Sequence, residues 1–451
     1  LNPAGPIATR GFALADVDLV SFDRRFGARC RVQRPDRYRL LDALPDDAPR
    51  IARGGGVSYV AASFGGGAIS QSMAAFDRIV AFDDEAGRIT VEAGARVGDV
   101  QRFALARGWY LAVAPGHPAA TIGGCIAADV HGKNPARDGT FRAVVERFEI
   151  LIASGDTRVA SESENAELFD ATFAGFGLTG LVTRATLRLA RPPTALIVRR
   201  VPVANLVDAA RILRDAANAP VLYGWHDGSP KHFGRGVIRI GLASDVVQRN
   251  ANAVPSSAHD LPARIEPWPF SAWNRVGIAF ANAWLRARWC RAGEAPLPLA
   301  SALFPLNDAR AYFAGFGKRG MSEAQWLIPH ARFEAFSSAL GECVARDRPR
   351  IALIASKLFS GGARGFSFDG DGVALAIQVP APDDARQRAF LDALGEIAIA
   401  HGGRANLIKS STLDAATARS AIGDFEAARA RLAAFNPGGR HASELSRRIA
   451  L

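Results

Sequence analysis

Short alternating runs and short amphipathic stripes follow one another over residues 28–190, the pattern of strands interleaved with helices. Ile79–Phe82 and Ile89–Ala93 read as strands joined by the turn-rich DDEAGR. Val97, Val100, Phe103 and Ala104 form a helical stripe over Val97–Ala106 that Gly108 ends. Phe148–Ala153 and Thr157–Ala160 flank SGD as a hairpin, and Asn165–Phe173 reads as a short helix. The clearest strand comes next. Leu181, Thr183, Ala185, Leu187 and Leu189 share one face, and Pro192 and Pro193 stop the run.

From about residue 195 the rhythm changes. Strands at 196–202 and 221–226 enclose a helix at 205–217. Much later come strand 325–328, helix 332–345, strands 350–356 and 373–379, and helix 383–400. Two strand–helix–strand units with long insertions predict an antiparallel sheet covered on one face by helices. Residues 244–267, rich in Ala, Ser, Asn and Pro, read as a loop. The stretch 268–290 then gathers Trp268, Phe270, Trp273, Phe280, Trp284 and Trp289 beside Arg275, Arg286 and Arg288. It is too interrupted to cross a bilayer, which leaves two readings: a helix packed within the second domain, or a lid or membrane-surface helix with arginines at the headgroups and aromatics beneath. The tail from about 405 is polar and helical, with Lys409 in NLIKSS just before it. The expected fold is α+β in two domains, 1–192 and 193–404, with a C-terminal segment, 405–451, returning to the first.

Composition narrows the function classes. The chain has 451 residues, 49% hydrophobic and 22% charged, enough apolar surface for large cores. Its net charge of +11 favours anionic partners, yet the arginines are scattered and no nucleic-acid-binding signature occurs, so nucleic acid is excluded. Only five of the 55 basic residues are lysines: Lys133, Lys231, Lys318, Lys357 and Lys409. Cys30, Cys125, Cys290 and Cys343 lack C-x-x-C spacing and read as free thiols of a reducing compartment. No leader pattern and no long apolar run is seen, so the expected location is cytoplasmic, with peripheral contact at the inner face of the membrane through 268–290.

Three glycine-bearing loops carry the candidate chemistry: ARGGGVSY at 52–59, PGHPAATIGG within 115–124, and GFGLTG at 175–180. Glycine allows backbone to approach a ligand closely, and successive amides hold anionic oxygens. Two such loops in one region suggest a long, extended cofactor. His131 ends an apolar segment within HGKN, where it can orient a cofactor, bind a phosphate, move a proton or satisfy loop carbonyls. Lys133 either neutralises an anion or forms a surface ion pair, and Lys409 either enters the pocket or stays exposed. No cluster has metal-ligand spacing, and no nucleophile-elbow or Walker sequence occurs.

ARGGGVSY, ITVEAGARVGDV, PGHPAATIGGCIAADVHGKN and GFGLTGLVTRATLRL resemble the vanillyl-alcohol-oxidase-like flavoenzymes, whose FAD-binding domain is of the p-cresol-methylhydroxylase type. WHDGSPKHFGRGV, QWLIP and SELSRRIAL extend the resemblance over nearly the whole chain. It implies FAD, held non-covalently because the first loop offers Val57, Ser58 and Tyr59 rather than a tethering histidine. Arg53, Gly54, Gly55, Gly56, Val57, Ser58 and Tyr59 would carry the diphosphate. Pro115, Gly116, Thr121, Ile122, Gly123, Gly124, Ala128, His131, Gly132 and Asn134 would line the cofactor, and Gly177, Thr179, Gly180, Val182 and Asn406 complete the set.

The resemblance also implies a catalytic group of Lys409, as base or substrate-orienting cation, with His131 and Gln325. Within the family the likeness points to oxidation of a polyprenyl-phosphate-linked pentose at C2′, the first half of an epimerisation in cell-wall or glycolipid synthesis. A short-chain NAD(P)H-dependent reductase would be the partner. Ala376, Gln378 and Asn406 depart from that branch and imply a reshaped pocket. Two alternatives stand beside it: an oxidase or dehydrogenase of a soluble polyol, aldonolactone or hydroxy acid, and a non-catalytic flavin- or lipid-binding subunit.

Overall fold

The computed structural model describes residues 13–42, 47–244, 265–305, 309–380 and 384–451. The loop expected at 244–267 lies outside them over 245–264. Three sheets organise the chain, in the α+β class expected. The first has strands β1 (Leu14–Val20), β2 (Gly27–Gln33), β3 (Arg50–Arg53) and β4 (Ile69–Ser72), in the order β1-β2-β4-β3. Here β1 and β2 are an antiparallel hairpin, while β4 runs parallel to both β2 and β3. The second is antiparallel: β5 (Ile79–Asp83), β6 (Arg88–Glu92), β7 (Val145–Leu151), β8 (Thr157–Ser161) and β9 (Leu181–Arg188), in the order β5-β6-β9-β7-β8. The strand with the clearest alternation, β9, is the middle one, where two neighbours hold its register.

The third sheet is the large one. Strands β10 (Ala195–Val203), β11 (Val221–His226), β12 (Gly236–Ser244), β13 (Gly293–Pro296), β14 (Met321–Pro329), β15 (Leu353–Ser360), β16 (Asp371–Pro380) and β17 (Arg404–Ala405) are ordered β13-β10-β12-β11-β15-β16-β14-β17. Every ladder is antiparallel. One face carries Ile238, Ile240, Ile354, Leu358, Leu375 and Ile377, packed with Leu213, Phe336, Leu340 and Phe390 from the helices Leu206–Asp215, His330–Asp347 and Ala385–Ala400. This is the one-sided helical cover that the strand–helix–strand spacing predicts.

The other face is polar, and two strands are longer or displaced there relative to the sequence reading. Strand β14 begins at Met321 rather than 325, which draws Ser322 and Glu323 into the ladder. Strand β15 runs Leu353–Ser360 rather than 350–356, so Lys357 lies inside it. Alternation then puts Glu323, Gln325 and Leu327 on one face of β14. They stand opposite Gln378, Ala376 and Ala374 of β16, which in turn face Leu353, Ala355 and Lys357 of β15. The charges hid both strands from a hydrophobic reading.

The end of the chain returns to the first sheet. Arg50 bridges His441, and the N–H groups of Glu444 and Leu445 donate to Phe64 and Ala61 at 2.9 and 3.1 Å. The aromatic helix, Arg275–Trp289, is clipped to the β11–β12 hairpin by a buried carboxylate: Asp227 accepts from Asn282 Nδ2 at 2.8 Å and pairs with Arg286. Removing that carboxylate strands three donors, the Ser229 N–H, the Asn282 amide and the charged Arg286. Asp227→Ala is expected to cost roughly 3 kcal/mol in denaturant unfolding and to speed amide exchange through Arg275–Trp289.

Candidate active site

The first glycine loop follows β3 directly, and its backbone amides are left free. The N–H groups of Gly54, Gly55, Gly56, Val57 and Ser58 donate to no protein acceptor among the described residues, although the loop is half-buried. A Cβ on Gly54 would stand 2.1 Å from Thr121 Oγ1, and one on Gly55 2.0 Å from the Ala119 carbonyl. Gly56 has φ +68°, which glycine alone adopts freely. Five successive unpaired amides form a cradle for anionic oxygens. The Arg53 guanidinium stands beside the cradle: it donates to Ser63 at 2.9 Å, lies over Phe64, and its Nη2 would meet a Cβ on Gly56 at 2.6 Å.

The second segment closes on the first. Thr121 caps the helix Ile122–Ala128 by accepting from the Gly124 N–H at 3.3 Å, and the N–H groups of Ile122 and Gly123 donate to Ala95 and Ala93. His117, which sequence reasoning passed over between Pro115, Gly116 and Thr121, accepts the Ala119 N–H on Nδ1, and its buried Nε2 has no partner. Burial, with Arg96 and Lys409 nearby, pushes its imidazole down to about 4. The helix ends on Asp129 in the left-handed region, φ 42°. Ser367 and the Arg142 N–H both donate to that carboxylate, at 2.6 and 3.1 Å, and the turn swings His131 towards the large sheet.

A hydrogen-bonded chain then crosses from the sheet to His131. Asn406 Oδ1 accepts the Ile408 N–H at 3.3 Å, so its amide nitrogen donates to Gln325 Oε1 at 2.8 Å. Gln325 Nε2 donates to His131 Nε2 at 3.3 Å. A neutral imidazole accepting on Nε2 carries its proton on Nδ1. That atom lies 3.1 Å from Lys357 Nζ and 3.3 Å from the Gly132 carbonyl. Lys357 Nζ itself donates to the same carbonyl at 2.7 Å. An ammonium beside an N–H would set two donors against each other, which disfavours the charged form of Lys357. Burial, then Lys133 and Lys409, drive this amine well below its ordinary range. Burial and then Lys357 do the same to His131.

A second chain runs beside it. Lys409 Nζ lies 3.1 Å from Glu323 Oε1 and 4.1 Å from the centre of the Tyr59 ring. Gln378, directly opposite Glu323 in the β14–β16 ladder, donates to the other carboxylate oxygen and accepts from Tyr312 Oη at 2.6 Å. Lys409 is thus ion-paired, while Lys357 has no carboxylate within ion-pair distance among the described residues. Between the two chains Ala355, Ala374 and Ala376 make a low floor.

Of the sequence candidates, the structure brings His131, Gly132, Gln325, Asn406, Lys409 and Tyr59 together at this face. Lys133 is buried beside Lys409 and makes no ion pair among the described residues. Asn134 is turned away: its amide donates to the carbonyls of Ala217 and Ala219, both at 2.6 Å, and clips this loop to the segment before β11. Thr179 shares a buried hydrogen bond with Thr172, and Val182 is a ladder residue of β9 opposite Ile150. Gly177, at φ 82°, lets the loop pass Ile51, and Gly180 is held against the Leu151 carbonyl. Lys357, Glu323, His117 and Tyr312 were not singled out. The one signal for Lys357 was its rarity: three of the chain's five lysines meet here.

Residues 41–161 match a protein-family model described as an FAD binding domain. The chain carries an FAD-binding domain. It is of the vanillyl-alcohol-oxidase and p-cresol-methylhydroxylase type, an oxidoreductase domain whose cofactor, FAD, is bound non-covalently. Over 418 residues the chain is 27% identical to decaprenylphosphoryl-beta-D-ribose oxidase of Mycolicibacterium smegmatis, covering 89% of each chain. It is also 26% identical to D-lactate dehydrogenase of Anaerostipes hadrus, over 37% of this chain and 35% of that one. With D-arabinono-1,4-lactone oxidase of Eremothecium gossypii it shares 29% identity, over 24% of this chain and 20% of that protein. The amide cradle at 54–58 suits a diphosphate, and the glycines leave no room for side chains in its place.

Gly55→Val puts side-chain atoms into the Ala119 carbonyl, so this FAD-binding domain is expected to purify without a flavin absorbance band. Lys133, pushed by burial from 10.5 to about 7, has a signature in stability. Between those values the unfolded chain binds a proton that the folded one has released, so stability should rise as pH rises through that window. Lys133→Met should flatten the rise, roughly 3–5 kcal/mol at most, in denaturant unfolding followed against pH.

Proposed function

We propose that this FAD-dependent oxidoreductase oxidises a secondary alcohol of a sugar: the C2′ hydroxyl of a pentose carried on polyprenyl phosphate, as the first half of an epimerisation. The convergence of Lys133, Lys357, Lys409 and His131 on one face, over a floor of alanines, carries this reading. It is a place for a molecule rich in hydroxyls and bearing an anion. The likeness to decaprenylphosphoryl-beta-D-ribose oxidase over 89% of both chains supports the choice of sugar. Three departures, Ala376, Gln378 and Asn406, tune the pocket. Gln378 in particular is neutral, so Glu323 faces an amide donor on one side and Lys409 on the other rather than a second carboxylate.

Bound FAD supplies the acceptor for the hydride that leaves the alcohol carbon. The protein must take the hydroxyl proton and hold the ring. Lys357 takes the proton as the His131 Nδ1–H, 3.1 Å from the amine, turns to the Gly132 carbonyl 3.3 Å away and leaves the amine lone pair to the substrate hydroxyl. Gln325 and His131 keep that amine oriented. The Lys409 ammonium, fixed by Glu323 and Tyr59, orients the substrate, and Lys133 meets its anion. The keto product then requires a reductant, and a separate short-chain NAD(P)H-dependent reductase is the partner proposed.

Anaerobic bleaching of the flavin band is the test. Polyprenyl-phosphoryl ribose should bleach it, and soluble polyols should not. Lys357→Met should retain flavin but lower the limiting rate of bleaching about 10²–10⁴-fold. Lys409→Ala should chiefly raise the half-saturating substrate concentration. Bleaching by a soluble polyol, aldonolactone or hydroxy acid would move the chain to the second reading, which the partial likenesses to D-lactate dehydrogenase and D-arabinono-1,4-lactone oxidase favour. No bleaching by any alcohol would mean a non-catalytic flavin protein.

A further inference from the structure

Eight large apolar side chains stand exposed among the described residues, and five of them fall in one segment: Trp268, Phe270, Val276, Phe280 and Trp284. Val276, Phe280 and Trp284 recur every fourth residue along the helix Arg275–Trp289, so they form one ridge about 12 Å long. Val276 is 78% and Phe280 74% exposed. The ridge is built to face outward. Ile278 and Asn282 are buried on the opposite side, and Arg286 is tied to Asp227.

Charge surrounds the ridge with one sign. No acidic residue occurs between Glu266 and Glu294, while Arg275 and Arg288 are exposed at the two ends of the helix. Val276 and Arg275 also border an open cleft of about 760 Å³. Arg348, Arg350 and Arg386 enter it from the end of His330–Asp347 and the start of Ala385–Ala400. Its one carboxylate, Asp384, pairs with Arg350 at 3.2 Å. Arg275, Arg348 and Arg386 have no carboxylate within ion-pair distance among the described residues. The segment also reaches the candidate active site. Trp273 packs on Tyr312, ring centres 5.1 Å apart, and donates to its carbonyl at 2.9 Å, while Tyr312 Oη donates to Gln378.

We propose that this face docks on an anionic lipid bilayer, the arginine cleft taking headgroup phosphates and the ridge entering the boundary of the acyl chains. An apolar ridge flanked only by arginines matches that boundary in both polarity and charge. No helix of the described residues is long and apolar enough to cross a membrane, so the contact is one of surface attachment. The proposal does not rest on the substrate reading above.

The test is flotation of the FAD-loaded protein with vesicles of phosphatidylcholine, with and without phosphatidylglycerol. Binding is expected only when phosphatidylglycerol is present. The pair Phe280→Ser with Trp284→Ser, and the triple Arg275→Glu, Arg348→Glu, Arg386→Glu, should each weaken it roughly tenfold or more. All five positions are exposed, so the variants should keep their flavin and their unfolding midpoint. Absence of flotation, equal binding to both vesicles, or binding indifferent to either variant overturns the proposal. So does a lipid-free dimer that Phe280→Ser with Trp284→Ser dissociates in sedimentation, because the ridge would then belong to a second copy of the chain.

Discussion

Three lysine side chains meet in one small region, Lys133 buried and Lys357 and Lys409 half-buried, and the carboxylate beside them, Glu323, pairs with Lys409. Each buried ammonium costs several kcal/mol unless it is paired or gives up its proton. The site resolves the conflict by dividing the labour. Lys409 is paired with Glu323 and lies over the Tyr59 ring, whereas burial and the neighbouring lysines favour the neutral form of Lys357 beside His131. Lys133 has no carboxylate partner among the described residues, and burial pushes it down to about 7.

The scaffold keeps these states apart by strand register. Glu323 and Gln325 are two residues apart in β14, so they share a face, but each has a different cross-strand neighbour: Gln378 for the first, Ala376 for the second. The Gln378 amide binds the carboxylate chain, while Ala376 leaves the space between the chains open. Slipping the register by one residue would turn all of these groups into the helical layer. The apolar face of the same sheet, packed beneath the three long helices, is what prevents that slip. Hydrophobic burial on one side therefore fixes polar geometry on the other.

The two halves of the site also depend on a short stretch of non-helical backbone. Asp129 adopts a left-handed conformation that usually favours glycine or asparagine. It is held by donors from both halves of the chain, Arg142 N–H and Ser367 Oγ. Through this turn the segment that begins at the glycine cradle ends at the sheet. A change in the relative placement of the two halves would thus be felt at His131 first.

The sequence alone determined the local things. Glycine triplets mark backbone cradles because glycine alone lacks a Cβ, and Gly54 and Gly55 indeed press against Thr121 and Ala119. Alternation in β9 and the stripes of the long helices were legible because each buries one face at a fixed period. His131, Gln325 and Lys409 were legible through motif resemblance. Glu323 and Lys357 were not, because a charged residue inside a strand breaks the apolar pattern that reveals the strand. Their meaning depends on partners far away in the chain: Lys409 for one, His131 for the other. Asn134 and Thr179 belonged to the right motifs yet point elsewhere, since a motif fixes the path of the backbone and not the direction of each side chain. Which lysine carries a charge and which carries a lone pair was decided only by the tertiary structure, because protonation follows burial and neighbours, and both are set by packing.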